Sequence, residues 1–179
     1  MSYAVAQRYA QALFDAAQER SRLDNVHRDL GKIAKLLEQS ADLKHFLIDP
    51  IIPSLKSQAV IKDVFDGKID ELTYKFVLFL QAKRRLPQLL PICAAFNDLF
   101  DEAKHILRAK WTSSTDLSTH DTRILSDYLK EKFDNKEIIP EPKVDPRIGG
   151  GIKIQVKDTI YDYTIAAQLR RFQQSVMRT

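Results

Sequence analysis

Three consecutive glycines, Gly149, Gly150 and Gly151, are the residues of this chain best suited by type to cradling a phosphate. A phosphate loop also needs a Lys-Ser/Thr pair or GxGxxG spacing, with a helix opening behind it. Here neither pattern occurs and an alternating strand pattern follows, so the run reads as a tight turn or a close backbone approach. The four histidines, His27, His45, His105 and His120, never fall within ligand spacing of each other or of Cys93, which argues against a metal site. Cys93 sits among Leu89, Leu90, Phe96 and Phe100 at helical spacing, the setting of a buried core thiol. No G-x-S-x-G nucleophile elbow is present. The carboxylate pairs Asp70-Glu71 and Asp101-Glu102 read as solvated helix ends. Lys83-Arg84-Arg85 suggests anion binding, yet cations in the last turn of a helix also oppose its dipole. No reaction, cofactor or metal is expected from these residues.

Composition narrows the class further. The chain has 179 residues and a formal net charge of +4. Residues 1–100 carry 14 basic and 12 acidic side chains, and residues 101–179 carry the same numbers, so each half is +2 with both signs interspersed. A nucleic-acid protein concentrates its basic residues in a patch or tail, and no such asymmetry exists here. The longest stretch free of Asp, Glu, Lys and Arg is the twelve residues Leu86–Asn97, which include Pro87 and Pro91. That falls short of the roughly 20 apolar residues of a membrane-spanning helix, so no direct membrane insertion is expected. The opening MSYAVAQRYAQALF lacks the marks of a secretory signal or transit peptide, and a single cysteine makes no internal disulfide. A soluble protein of a reducing compartment is the expectation.

Apolar periodicity divides the chain near residue 105. Before it the spacing is helical almost throughout. The clearest stripe is Leu23, Val26, Leu30, Ile33 and Leu37, preceded by Ser21-x-x-Asp24 as a cap. A short helix around Leu43–Ile48 stops at Asp49-Pro50, because the residue before proline resists helical dihedrals. Further helices begin at Pro53-Ser54, cover Glu71–Arg85, and cover Pro87–Lys104. Six helices with short connections predict an N-terminal six-helix bundle, residues 1–105. After it the period becomes 2. Leu107, Ala109 and Trp111 alternate with polar residues, then Ser118-x-x-Asp121 opens a helix. The strand Ile138–Asp145 is weakened for a central position by Pro140 and Pro142. Ile152, Ile154 and Val156 form a strand that turns at Asp158 into Thr159–Tyr163. A last helix sets Ile165, Leu169, Phe172 and Val176 on one face. Residues 106–179 are thus a compact C-terminal α/β domain, and the whole is mostly α with a small α+β part.

Two helices carry more apolar surface than one core face needs. In Tyr3–Glu19 the apolar arc, from Ala12 through Tyr9 and Leu13 to Phe14, spans about 200°, against the roughly 100° of a helix lying on one core. In Phe76-Val77-Leu78-Phe79-Leu80 five large apolar residues point all round the helix. Either both helices are central and covered by their siblings, or one flank of each receives a partner helix. A bundle of this size has much surface for its volume, which favours a groove filled by another chain.

Four motifs in register resemble one family. The opening A-x-R-Y-A-x-A-L-F, here Ala6 to Phe14, is similar to the start of the ATP synthase delta subunit, whose mitochondrial counterpart is the oligomycin-sensitivity-conferring protein. The likeness continues through Phe46-Leu47-x-x-Pro50 and the helix ending Arg84-Arg85-Leu86. It is strongest at Val144-Asp145-Pro146-Arg147-Ile148-Gly149-Gly150-Gly151-Ile152, where the family has V-D-x-x-L/I-x-G-G-I/V. A hairpin and the helix start Asp162-Tyr163-Thr164-Ile165 follow. Lys157 stands where a small or polar turn residue is usual, and Tyr163-Thr164 replaces the common Gly-Ser.

The resemblance implies a non-catalytic stator subunit of an F-type ATP synthase, present as a single copy. Its first domain would sit on the catalytic head and bind N-terminal segments of the alpha subunits. Its second would hold the C-terminal ends of the b subunits, which form the peripheral stalk. The alpha-subunit helix would dock between the first and fifth helices, which carries Tyr9, Ala12, Leu13, Phe76, Phe79, Leu80 and Lys83 over as groove residues. Asp145, Gly150, Gly151 and Asp162 carry over as structural members of the motif. Localisation would be peripheral, on the cytoplasmic side of a bacterial inner membrane. A helical adaptor of another assembly is the alternative; an RNA-binding accessory protein fits the even charge split poorly.

Overall fold

Helical spacing in the first hundred residues becomes α1 (Ser2–Glu19), α2 (Leu23–Gln39), α3 (Ala41–Ile48), α4 (Ser54–Phe65), α5 (Glu71–Ala82) and, after a 3₁₀ turn at Leu86–Gln88, α6 (Leu89–Ala103). The computed structural model describes residues 2–48, 52–133 and 137–176. It divides the chain into two units, Met1–Asp101 and Glu102–Thr179. The Asp49-Pro50 break lies outside the described residues, as do the side chains of Tyr3 and Val176.

In the first unit the predicted stripe on α2 is buried at Val26, Leu30, Ile33 and Leu37. α2 lies against α1, α3 and α5. Phe14 of α1 meets Phe96 of α6 with ring centroids 5.8 Å apart. The predicted Ser21-x-x-Asp24 cap does not form. Ser21 instead adopts φ +54, its N–H donates to Gln18 O at 3.0 Å, and the Arg22 N–H donates to Ala17 O at 2.8 Å. That is the Schellman ending of α1, and a residue committed to closing one helix cannot also cap the next. α5 ends the same way, with Arg84 at φ +56 and the Arg85 N–H donating to Leu80 O at 2.7 Å.

The second unit alternates as its sequence does. Its elements are β1 (Ile106–Ser113), α7 (Thr119–Lys132), β2 (Glu137–Val144), β3 (Ile152–Val156), β4 (Thr159–Asp162) and α8 (Ile165–Val176). The strand order is β2-β1-β3-β4, with β1 parallel to β2 and antiparallel to β3. The parallel pair is joined through α7, the crossover such a pair requires. β2 occupies an edge, where Pro140 and Pro142, opposite Ala109 and Trp111, are tolerated despite lacking a backbone donor. Leu107, Ala109 and Trp111 build the core with Leu129, Ile138, Ile154 and Val156. α7 opens with the predicted capping box: Ser118 Oγ accepts from the Asp121 N–H at 3.1 Å, and Asp121 accepts from the Ser118 N–H at 3.3 Å. The described residues are therefore mostly helical, with eight α-helices and a small mixed sheet confined to the second unit.

Candidate functional site

Two of the residues singled out for possible chemistry, His27 and Cys93, sit in structural settings. His27 stacks on Phe100 at 3.8 Å and shares a 2.8 Å hydrogen bond with Asn97. Burial pushes the Cys93 thiol up to about 12, which keeps it protonated and unreactive near neutral pH. Among the described residues no three of His, Cys, Asp and Glu gather where a metal could sit. What remains is surface.

α5 is held at its start by a polar knot. Asp70 caps it, its carboxylate accepting from the Leu72 N–H at 2.9 Å. Asp29, 2% exposed on α2, accepts the Asp70 N–H at 2.6 Å, and Arg22 donates to Asp70 at 2.7 Å. Burial pushes the Asp70 carboxyl up, but the Arg22 guanidinium and the Leu72 N–H together hold it below its ordinary value. At the other end of α5, Phe79 meets Tyr9 edge to face, centroids 6.1 Å apart. Arg22 follows the end of α1 whereas Tyr9 lies in its first half, so the two contacts set α1 and α5 antiparallel.

The structure brings Tyr9, Phe79 and Lys83 together. Phe79 is 45% exposed, Tyr9 is half-buried, and Lys83 Nζ stands 5.9 Å from the centre of the Phe79 ring. Ala12 is exposed three residues along α1, and Phe76 is half-buried three residues back on α5. Leu13 and Leu80 point into the unit, 3% and 0% exposed, so they support the surface from within rather than lining it.

A third apolar face, on α8, does not show as surplus apolar area in its sequence. On α8, Ile165, Leu169 and Phe172 are all exposed, Phe172 by 67%. Their spacing was legible as one helical face; that this face stays exposed was not. The face is built by the motif residues. Asp162 accepts from the Thr164 N–H at 3.0 Å and from its hydroxyl at 2.7 Å, and these bonds hold the Asp162 carboxyl below its ordinary value. Thr164 Oγ1 in turn accepts from the Ala167 N–H at 3.2 Å, capping the start of α8. Gly150 O accepts from the Ile165 N–H at 3.2 Å. A Cβ on Gly151, which has φ +81, would stand 2.5 Å from Tyr163 O and 2.8 Å from Thr164 Cα. Asp145 closes the preceding turn, accepting from the Arg147 N–H and guanidinium. The glycine run is thus a close approach of backbone to backbone that seats α8.

The model of the ATP synthase delta (OSCP) subunit family matches residues 5–176. The ATP synthase subunit delta of Symbiobacterium thermophilum is 33% identical over 177 residues, covering 99% of this chain and 95% of that protein. That of Brevibacillus brevis is 34% identical over 174 residues, covering 97% and 99%. A chain of the Toxoplasma gondii mitochondrial ATP synthase hexamer shares the fold, with a TM-score of 0.78 over 96% of this chain and 97% of that one at 20% identity. The chain belongs to the ATP synthase delta (OSCP) subunit family, structural stator subunits of the F-type enzyme rather than catalytic ones.

Proposed function

We propose that this chain joins the catalytic head of a bacterial F-type ATP synthase to its peripheral stalk, one copy per complex. Helices α1–α6, acting as a six-helix bundle within residues 1–105, bind the N-terminal segments of the alpha subunits in the α1–α5 groove. Residues 106–179 bind the C-terminal ends of the b subunits through the exposed face of α8. One observation carries the reading: each unit exposes apolar side chains along one helix face, at Tyr9 and Phe79 in the first and at Ile165, Leu169 and Phe172 in the second. Amphipathic helices dock on such faces.

The task is mechanical. Proton flow turns a rotor within the head, and the stalk keeps the head from turning with it. Apolar helix contacts suit this because they resist load without a reaction. A connector gripped at both ends also gains from effective concentration, since one end stays tethered while the other reopens. Among the described residues no helix is long and apolar enough to cross a membrane, in keeping with a peripheral place on the cytoplasmic side of the inner membrane.

Isothermal titration of the full chain tests the reading, using in turn a peptide from the N-terminus of the alpha subunit and one from the C-terminal end of the b subunit. Both are expected to bind, the first losing affinity with Phe79→Asp only and the second with Phe172→Asp only. Absence of binding at micromolar concentrations of either peptide would refute the assignment of that face.

A further inference from the structure

We propose that the α1–α5 groove reads charge as well as shape: its occupant is an amphipathic helix with carboxylates clustered at one end, and that end seats over Lys83, Arg84 and Arg85. The inference rests on the docking reading above and specifies the chemistry of the partner.

The antiparallel arrangement gives the groove two electrostatically different ends. At the end where Tyr9 meets Phe79 lie Arg8, Lys83, Arg84 and Arg85, all exposed. No acidic residue occurs in residues 2–14 or 72–85, so neither wall offers these four cations a carboxylate. At the opposite end both signs are present. Asp15, Glu19, Asp70 and Glu71 are there with Arg20, Arg22 and Lys75, and two pairs are closed, Arg22 with Asp70 and Lys75 with Glu71. One end is uniformly positive and the other nearly balanced.

The helix dipole of α5 explains a cation at Lys83 but not the whole cluster. Arg8 sits in the first half of α1, beyond the reach of any favourable dipole and on the flank next to the exposed Ala12. Arg84 occupies the left-handed position that closes the Schellman motif, where glycine is the unstrained choice. The Arg85 N–H to Leu80 O bond at 2.7 Å turns the backbone sharply at the end of α5, so that Lys83, Arg84 and Arg85 fall within that turn, at the Phe79 end of the helix. Lys83 Nζ stands over the Phe79 ring at 5.9 Å, so a carboxylate reaching it would lie close to the apolar floor. Acidic side chains at one end of the incoming helix therefore fix its direction in the groove, which apolar contacts alone do not. Such pairing acts on partner choice and association rate, and salt screens it.

The test uses the full chain and an N-terminal peptide, about 20 residues long, of the alpha subunit made by the same organism, beside a copy with every Asp and Glu replaced by amide. Fluorescence anisotropy is followed from about 50 to about 500 mM salt, across which screening of exposed pairs becomes nearly complete. The expectation is about tenfold weaker binding of the amide peptide at low salt, with the two affinities converging at high salt. The variant Lys83→Gln/Arg84→Gly/Arg85→Gln should lose most of the difference between the two peptides, and Arg8→Gln a smaller part; Arg84→Gly keeps the helix ending intact. Equal, salt-independent affinities of the wild type for both peptides would overturn the charge inference and leave the groove reading standing. No binding of either peptide would overturn both.

Discussion

The carboxylate of Asp29, on α2, accepts the backbone N–H of Asp70 at 2.6 Å, so a buried acid 41 residues away completes the start of α5. Lys32 Nζ lies 3.7 Å from the same carboxylate. Replacing Asp29 by alanine leaves an amide without its acceptor, a loss of about 1–3 kcal/mol. Urea unfolding of Asp29→Ala should show that loss. Asp29→Asn, which keeps an accepting oxygen, should recover part of it. Equal stability of Asp29→Ala and wild type would show that Asp29 does not anchor α5.

Phe79 and Leu13 should separate binding from folding. Phe79 is 45% exposed and Leu13 is 3% exposed. Phe79→Asp is expected to abolish alpha-peptide binding with a change in stability within about 1 kcal/mol. Leu13→Asp buries an unpaired charge and should unfold the first unit. Circular dichroism distinguishes the two outcomes, and a folded Leu13→Asp protein would contradict the placement of Leu13 inside.

Gly151→Ala should be among the most damaging single-methyl additions in the second unit. The new carbon would stand 2.5 Å from a backbone oxygen, at a φ of +81 that L-residues rarely adopt. A loss on the order of 3 kcal/mol is expected in thermal unfolding. Lys157→Gly, at φ +51 in the two-residue β3–β4 hairpin, should act in the opposite direction. Glycine suits that first loop position, and a gain of about 0.5–1 kcal/mol is expected.

Asp145 gives a pH signature. The Arg147 guanidinium and N–H hold its carboxyl down to about 2. A carboxyl lowered on folding favours the folded state when ionised. Its contribution is present above the ordinary value of 3.8 and is lost as pH falls from there towards about 2. Asp145→Asn should therefore flatten part of the acid loss of stability over that window while changing the slope little above it. Superimposable acid-unfolding profiles would rule out the contribution.

Cys93 should report global opening. With its thiol pushed up to about 12 by burial, it is expected to stay unmodified by iodoacetamide at pH 8 until denaturant exposes it. Rapid alkylation of the native chain would place it at the surface.

Much of this was legible in the chain itself because the signals are local. Period 3.6 gave way to period 2 where the helices end and β1 begins, and the Ser118–Asp121 box marked the start of α7. Two prolines marked β2 as a strand unfit for the centre of a sheet, and it lies at the edge. Ser21 shows where local reading fails. Its spacing to Asp24 suited a cap, but the same few residues also had to end α1, and the Schellman hydrogen bonds took them.

Sequence alone determined which side chains share a face, because that follows from the geometry of one helix or strand. It also determined the family, through motifs spread in order along the chain. Only the tertiary structure decided which faces are covered. Leu80 and Phe79 are neighbours in sequence and equally apolar, yet one is sealed and the other is 45% exposed. Ile165, Leu169 and Phe172 share one helical face in the sequence, and only the structure shows that face to be exposed. Coverage depends on the arrival of segments far away in sequence, as Asp29 reaches Asp70, and no periodicity within a helix records that.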